Sequence, residues 1–135
     1  MRPFKVLRVW QAGHSVALHI YAATGGFPRD EIYGLTNQMR RSAASIPTNI
    51  AEGSVRSDCE FHQFLRIALG SATELEYQLL LARDLGYLSE VSFDAPEGEL
   101  LPLKRMLVTF LKTVKDSPPQ AQRQGPMASG QGPVP

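Results

Sequence analysis

The sequence is poor in the features that mark secreted and membrane proteins. It contains a single cysteine, Cys59, so no disulfide can form within one chain, and this fits a reducing compartment. Its apolar runs are only a few residues long, far short of the roughly 18–20 residues that a membrane-spanning helix needs. No apolar signal-peptide core follows Met1. We therefore expect a cytoplasmic protein that does not enter a membrane.

The excess of one sign of charge is small as well, with a net charge of +1. The 14 lysines and arginines nearly balance the 13 aspartates and glutamates, and this excludes a uniformly basic nucleic-acid binder. The average conceals charge stripes, however. Residues 1–56 carry seven basic and three acidic side chains, residues 57–100 carry two and nine, and residues 101–135 carry five and one. These stripes either bind charged partners or pack beside helices of complementary charge.

What the sequence does contain is enough apolar side chain for one folded domain. Hydrophobic residues make up 43% of the 135 positions, which is sufficient for a core. The last 19 residues differ, because they hold five of the ten prolines and few apolar side chains. We predict a folded domain over residues 1–116 and a disordered tail over residues 117–135.

Helical spacing of apolar residues dominates the predicted domain. A first helix over about residues 5–23 is expected to bury Leu7, Trp10, His14, Ala17 and Tyr21. Gly25 and Gly26 should end it in left-handed geometry. A second helix should start at Pro28, with Asp30 and Glu31 in its first turn. Its predicted buried face consists of Ile32, Leu35, Met39, Ala43, Ile46 and Ile50.

Two further helices complete the prediction. Ser57 and Glu60 match a capping box that opens the third helix. Its predicted buried face consists of Phe61, Leu65, Ala68, Ala72, Leu75, Leu79 and Ala82. The fourth helix is expected to start near Pro102, because an interior proline is costly, and to bury Leu100, Leu103, Leu107, Phe110 and Val114. The fold class is therefore all-α, an up-down antiparallel four-helix bundle without strands.

Catalytic and metal sites find little support in the sequence. None of the three histidines stands three residues after a glutamate, as a di-iron bundle would require. Cys59 and His62 lie one helical turn apart, yet no third orienting group is apparent. Gly25 and Gly26 are a lone pair and form no phosphate-binding loop. We predict no enzyme activity, no metal, no cofactor and no membrane contact, and no small-molecule substrate is identified.

The stretch from Gln38 to Gly53 is the most informative part of the chain. Its apolar spacing continues past Pro47, which predicts a kinked helix instead of a broken one. Arg40 and Arg41 precede the kink. Either one of them pairs with Glu74 or Glu76 on the third helix, or both contribute to a surface that contacts phosphates.

The string QMRRSAASIPTNIAEG in this stretch resembles the signature of the four-helix-bundle proteins encoded by intervening sequences within 23S rRNA genes. Similar short motifs recur in order over residues 4–88, such as Leu7–Ala12 and Leu85–Leu88. The resemblance implies a homopentamer, and a relation to accessory proteins of the reverse transcriptases of diversity-generating retroelements. Its structural signature residues here are Ser45, Ile46, Pro47, Asn49, Glu52, Gly53, Glu74 and Glu76.

Two hypotheses follow from the sequence. In the first, the protein is an oligomeric accessory factor that binds RNA or DNA. Its candidate contact residues are Lys5, Arg8, Arg40, Arg41 and Arg56. In the second, it is a protein-only scaffold, and the acidic third helix of one subunit meets the basic helices of the next.

Overall fold

The computed structural model describes residues 2–114, which form four α-helices. These are α1 (Arg8–Thr24), α2 (Leu35–Ser54), α3 (Asp58–Asp84) and α4 (Glu90–Thr113), with short 3-10 helices at Phe4–Val6 and Arg29–Glu31. Each helix packs on two neighbours, in the cyclic order α1, α2, α3, α4. Residues 2–114 contain no strand, so the predicted four-helix bundle is confirmed. The predicted tail, residues 117–135, lies outside the described residues.

Helix α3 follows the sequence prediction most closely. The Ser57 hydroxyl accepts a hydrogen bond from the backbone N–H of Glu60, and the Glu60 carboxylate accepts one from the backbone N–H of Ser57. All seven residues of its predicted face are buried. Gly86, just after the helix, has φ +81°, a left-handed geometry that favours glycine.

Helix α1 buries a different face from the predicted one. The bundle centre receives Val9, Gly13, Val16 and Ile20. Of the predicted face, Ala17 is buried and Leu7 and Trp10 are half-buried, whereas His14 and Tyr21 are exposed. Both sets follow helical spacing, and the true set lies about 100° around the helix. Smaller side chains face the centre because α2 approaches α1 closely there. The helix ends at Thr24 as expected, but Gly25 has φ −61°, so no left-handed cap is used.

Helix α2 begins at Leu35, seven residues after the predicted start. Gly34 has φ −109° and ψ −115°, outside the helical region, and separates α2 from the preceding 3-10 turn. Ile32 is consequently exposed instead of buried. The other five residues of the predicted face are buried, and the helix continues through the buried Pro47 to Ser54, as predicted.

Helix α4 starts well before the predicted position, because its first residue lies twelve positions before Pro102. It starts at Glu90, behind an N-cap at Ser89 whose hydroxyl accepts a hydrogen bond from the backbone N–H of Ser92. Pro96 and Pro102 therefore both lie inside the helix. The extra turns form because their apolar face is buried, and tertiary packing of this kind overrides local propensity. The buried residues of α4 are Phe93, Pro96, Leu100, Leu103 and Leu107.

Candidate functional site

The signature segment of α2 contacts α3 through a short chain of polar side chains. Asn49 donates through Nδ2 to the Ser45 carbonyl at 2.8 Å and to the Ser45 hydroxyl at 2.9 Å. The Ser45 hydroxyl is in turn 2.9 Å from the Ser71 hydroxyl on α3. These bonds set the register of the two antiparallel helices at the middle of the bundle.

Glycines bring α2 close to both of its neighbours. A Cβ at Gly13 of α1 would lie 3.0 Å from Ile46 Cγ2. A Cβ at Gly53 would lie 2.7 Å from Phe64 Cβ and 2.8 Å from Phe61 Cδ1, closer than real Cβ atoms approach. Five signature residues of α2 therefore have a structural role in helix packing: Ser45, Ile46, Pro47, Asn49 and Gly53.

Arg40 binds to the C-terminal end of α1. Its Nε donates to Thr24 Oγ1 at 2.8 Å, its Nη2 donates to the Tyr21 carbonyl at 3.3 Å, and its guanidinium lies 5.0 Å from the centre of the Tyr21 ring. A cation at this position satisfies carbonyl groups that a helix end leaves without partners. Arg40 thus joins α2 to α1 instead of presenting its charge outward.

The remaining signature carboxylates have partners other than Arg40 and Arg41. Glu52 accepts a hydrogen bond from Arg56 at 2.7 Å, and Glu76 accepts one from Lys104 at 2.8 Å. Glu74 accepts one from Gln78 Nε2 at 3.5 Å. Within residues 2–114, neither Arg40 nor Arg41 forms an ion pair with Glu74 or Glu76.

The five candidate phosphate-contact residues lie in two places. Lys5, Arg8 and Arg56 are at the end of the bundle where α1 and α3 begin, whereas Arg40 and Arg41 lie toward the opposite end. Arg40 and Arg56 are 16 positions apart, about 24 Å along a helix axis. The structure therefore does not bring all five together.

Cations at the first of these ends form what we call the basic end: Lys5, Arg8, Arg105 and Lys112. Arg8 and Arg105 line one groove of about 440 Å³ between the start of α1 and the end of α4. In the described part of the chain, these four side chains have no ion pair. Arg105 and Lys112 were not among the predicted contact residues, although an antiparallel bundle with a basic C-terminal segment places the end of α4 beside the start of α1.

Two further grooves line α2. The apolar α1–α2 groove, about 560 Å³, contains Trp10 and His14, whose rings stack with centroids 5.0 Å apart. The polar α2–α3 groove, about 540 Å³, lies on the other side of α2. Its lining residues are Tyr33, Asn37, Gln38, Arg41, Ser42, Ser45, Ser71 and Glu74.

Glu31 closes the end of the bundle opposite the basic end. Its carboxylate accepts hydrogen bonds from the backbone N–H of Leu35 at 3.0 Å and from the Tyr87 hydroxyl at 2.9 Å. These bonds, the backbone bond first, lower the pKa of Glu31. The same contact raises the pKa of Tyr87. Glu31 thus caps α2 and ties it to the α3–α4 connection.

No group of three or more histidine, cysteine or acidic side chains within residues 2–114 is placed to hold a metal ion. None of the four helices in that range is long and apolar enough to cross a membrane.

Comparison with other proteins identifies the family. No curated protein matches the chain. A crystal structure from Bacteroides thetaiotaomicron, of a protein with unknown function from the S23 ribosomal protein family, is 25% identical, covers 77% of this chain and 98% of its own, and has a TM-score of 0.68. The family model for the 23S rRNA-intervening sequence protein matches residues 5–109. This match confirms the resemblance found in the sequence: the chain belongs to the family of 23S rRNA-intervening sequence proteins.

Proposed function

We propose that this protein is a non-catalytic, oligomeric accessory factor of the cytoplasm that contacts the phosphates of RNA or DNA through its basic end. The observation that carries the proposal is the grouping of Arg8 and Arg105 around one groove, to whose lining residues 2–114 contribute no carboxylate. Lys5 and Lys112 add charge beside them. Arg40 and Arg56, by contrast, are held within the subunit by Thr24 and Glu52.

The strength of such binding depends on repetition. Four cations per subunit give only weak attraction to phosphates at physiological salt. In an oligomer the same surface recurs, so that contacts on one nucleic acid add through effective concentration. The proposal therefore couples binding to assembly, and binding should weaken steeply as salt concentration rises.

The homopentamer implied by the family resemblance is part of this proposal. Two apolar surfaces on different sides of the bundle support it. One is the α1–α2 groove around Trp10 and Pro47, and the other is the outer side of α3, where Tyr77 and Ile67 are 62% and 52% exposed. Contact between two different surfaces generates rings when the rotation closes. Native mass spectrometry should then give a mass five times that of the 14.9 kDa chain.

Gel-shift assays with structured RNA and duplex DNA at about 50 mM salt test the nucleic-acid part. For each subunit that contacts the nucleic acid, the double variant R8Q/R105Q should lower the magnitude of the slope of log K against log salt by about 1.4–1.8, because each lost phosphate contact removes about 0.7–0.9. R29Q/R83Q is the matched control, since both arginines lie at the end of the bundle opposite the basic end and their loss removes the same charge. Absence of any shift by the unaltered protein would reject this function.

The protein-only scaffold is the second candidate, favoured by the apolar surfaces described above. The same variant discriminates the two functions. If R8Q/R105Q lowers the mass of the oligomer, the basic end is a subunit contact and the scaffold is supported. If the mass is unchanged while binding to RNA or DNA is lost, the accessory factor is supported.

A further inference from the structure

The polar α2–α3 groove is a cavity that the proposed function does not use. It lies on the opposite side of α2 from the apolar groove, and its volume of about 540 Å³ suits a small molecule. Its walls come from two helices whose relative register is fixed by the Ser45–Ser71 hydrogen bond. The cavity is therefore preformed and does not depend on a mobile segment.

The groove offers one cation and one anion that do not neutralise each other. Arg41 on α2 has no hydrogen bond, ion pair or ring contact with any other side chain in residues 2–114. Glu74 on α3 is held only by Gln78, whose Oε1 is buried and unpartnered within the same residues. The guanidinium keeps its five N–H donors for a ligand, and the carboxylate keeps acceptor positions.

The groove also contains hydroxyl donors without acceptors. Ser42 is only 6% exposed, lines the groove and makes no hydrogen bond within the described part of the chain. Ser45 and Ser71 share one hydrogen bond between two hydroxyls, and Ser45 already accepts from Asn49. One of their two hydroxyl hydrogens therefore has no acceptor in residues 2–114. These hydroxyls face the groove, so a ligand oxygen could accept a hydrogen bond from them in place of water.

From this arrangement we propose that the α2–α3 groove binds a small zwitterion, a free α-amino acid or a dipeptide. The ligand carboxylate would face Arg41, which can bind it through two N–H groups, and the hydroxyl of Ser42. The ligand ammonium group would face Glu74. The ring of Tyr33, 91% exposed at the edge of the groove, would cover the ligand side chain.

Balanced charge argues for a zwitterion over other ligands. A nucleotide phosphate would meet Glu74 as well as Arg41, and a dication such as a polyamine would meet Arg41 as well as Glu74, so each would face a like charge. The basic end differs because no carboxylate in the described part of the chain lines the groove between Arg8 and Arg105. The inference does not depend on nucleic-acid binding by that end.

The test uses the full-length protein and isothermal titration with the free L-amino acids and glycylglycine, up to about 10 mM. Each ligand that binds is compared with its N-acetyl derivative and with its carboxamide, which remove one charge each. The unaltered protein should bind the zwitterion about tenfold more tightly than either derivative. E74Q should abolish the preference for the free ammonium group, and R41Q should abolish the preference for the free carboxylate.

The matched controls are E97Q and R66Q, exposed residues outside the groove lining that should leave both preferences unchanged. Circular dichroism checks that R41Q and E74Q remain folded, as expected for exposed side chains. The proposal is overturned if no amino acid or dipeptide binds, or if binding survives both R41Q and E74Q. It is equally overturned if R41Q lowers the oligomer mass while no zwitterion binds, because the groove is then a contact between subunits.

Discussion

Helices α2 and α4 both contain proline in their interior, yet they are held in the bundle in different ways. Helix α2 approaches its neighbours closely at two glycines, where Gly13 of α1 faces Ile46 and its own Gly53 faces Phe61 and Phe64. Helix α4 packs through large apolar side chains and through polar contacts at its edges. Those contacts join Glu99 to Ser15 and His19, and Lys104 to Glu76.

The difference shows that the space between helices limits side-chain size on α2 more than on α4. An added methyl group on α2 meets another helix, whereas the exposed edges of α4 can adjust their long side chains. We therefore expect stability to depend on side-chain size along α2 and on backbone hydrogen bonding along α4. The following predictions test this contrast.

The largest effect is expected for Gly53→Ala. The new Cβ would lie 2.7 Å from Phe64 Cβ, so α3 must shift, at a cost of about 2–3 kcal/mol in the free energy of unfolding. Gly70→Ala is the matched control, because within residues 2–114 no side chain and no atom of another helix lies within 4 Å of its added Cβ, its immediate chain neighbours aside. It should stabilise the protein by about 0.5–1 kcal/mol through helix propensity. Urea denaturation measures the change in the free energy of unfolding for both variants. Changes of the same sign in the two variants would contradict the packing argument.

Pro102→Ala should stabilise the protein by about 1–2 kcal/mol. Pro102 is exposed, so little packing is lost, and alanine restores an N–H for the carbonyl of Gly98 one turn earlier. Pro47→Ala restores an N–H too, but it removes a buried ring beside Gly13 and should gain less. Thermal unfolding of the two variants compares them. A lower melting temperature for Pro102→Ala would show that this proline is needed for α4.

Arg40→Gln should cost about 1 kcal/mol. The variant loses the bonds to Thr24 Oγ1 and to the Tyr21 carbonyl that join α2 to α1. The neighbouring Arg41→Gln removes the same charge without removing an intramolecular bond, so its unfolding free energy should match that of the unaltered protein. A similar loss in both variants would mean that net charge, and not the contact with α1, determines the effect.

The smallest effect is expected for Glu31→Gln, and it should depend on pH. Because the folded-state pKa of Glu31 is lowered from 4.5, its stabilising contribution is present above that value and is lost as pH falls through the folded-state pKa. The stability difference between the unaltered protein and Glu31→Gln should thus be constant near neutral pH and shrink under acid. Tyr87→Phe removes one of the two bonds and should reduce this pH dependence in part. A difference independent of pH would contradict the assigned role.

The sequence predicts the helices well where large apolar residues point only to the core. Helix α3 is the example, since Phe61, Leu65 and Leu79 admit one buried face. In helix α1 the spacing predicts the wrong central face, because Trp10 and Tyr21 are large apolar residues and Gly13 has no side chain. Glycine is needed at position 13 only because Ile46 of α2 approaches the helix there, and the sequence of α1 does not show that approach.

The start of α4 was readable in principle. Phe93, Pro96 and Leu100 continue the 3-4 spacing of Leu103 and Leu107, so counting Pro96 as an apolar core residue extends the helix back to the Ser89 cap. The low helix propensity of proline disfavours this extension, but burial of the apolar face stabilises the helix.

The polar groove was only half predictable. The sequence offers two alternatives for Arg41, a phosphate contact or an ion pair with Glu74 or Glu76. It does not predict a cavity lined by Arg41 and Glu74. That they line the same cavity follows from the pairing of Ser45 with Ser71, and register between two helices is not encoded in the spacing of either one. Predicting the basic end likewise requires the register between two helices, because Arg8 and Arg105 line one groove only when α1 and α4 are aligned.

The stack of Trp10 on His14 gives the protein a built-in optical reporter. Trp10 is the only tryptophan in the chain, and its ring is partly exposed on the apolar α1–α2 groove. All indole fluorescence therefore originates at one known place on the surface. A neighbouring subunit that covers this groove would exclude water from the ring and shift the emission to shorter wavelength, so assembly can be followed by dilution without any label.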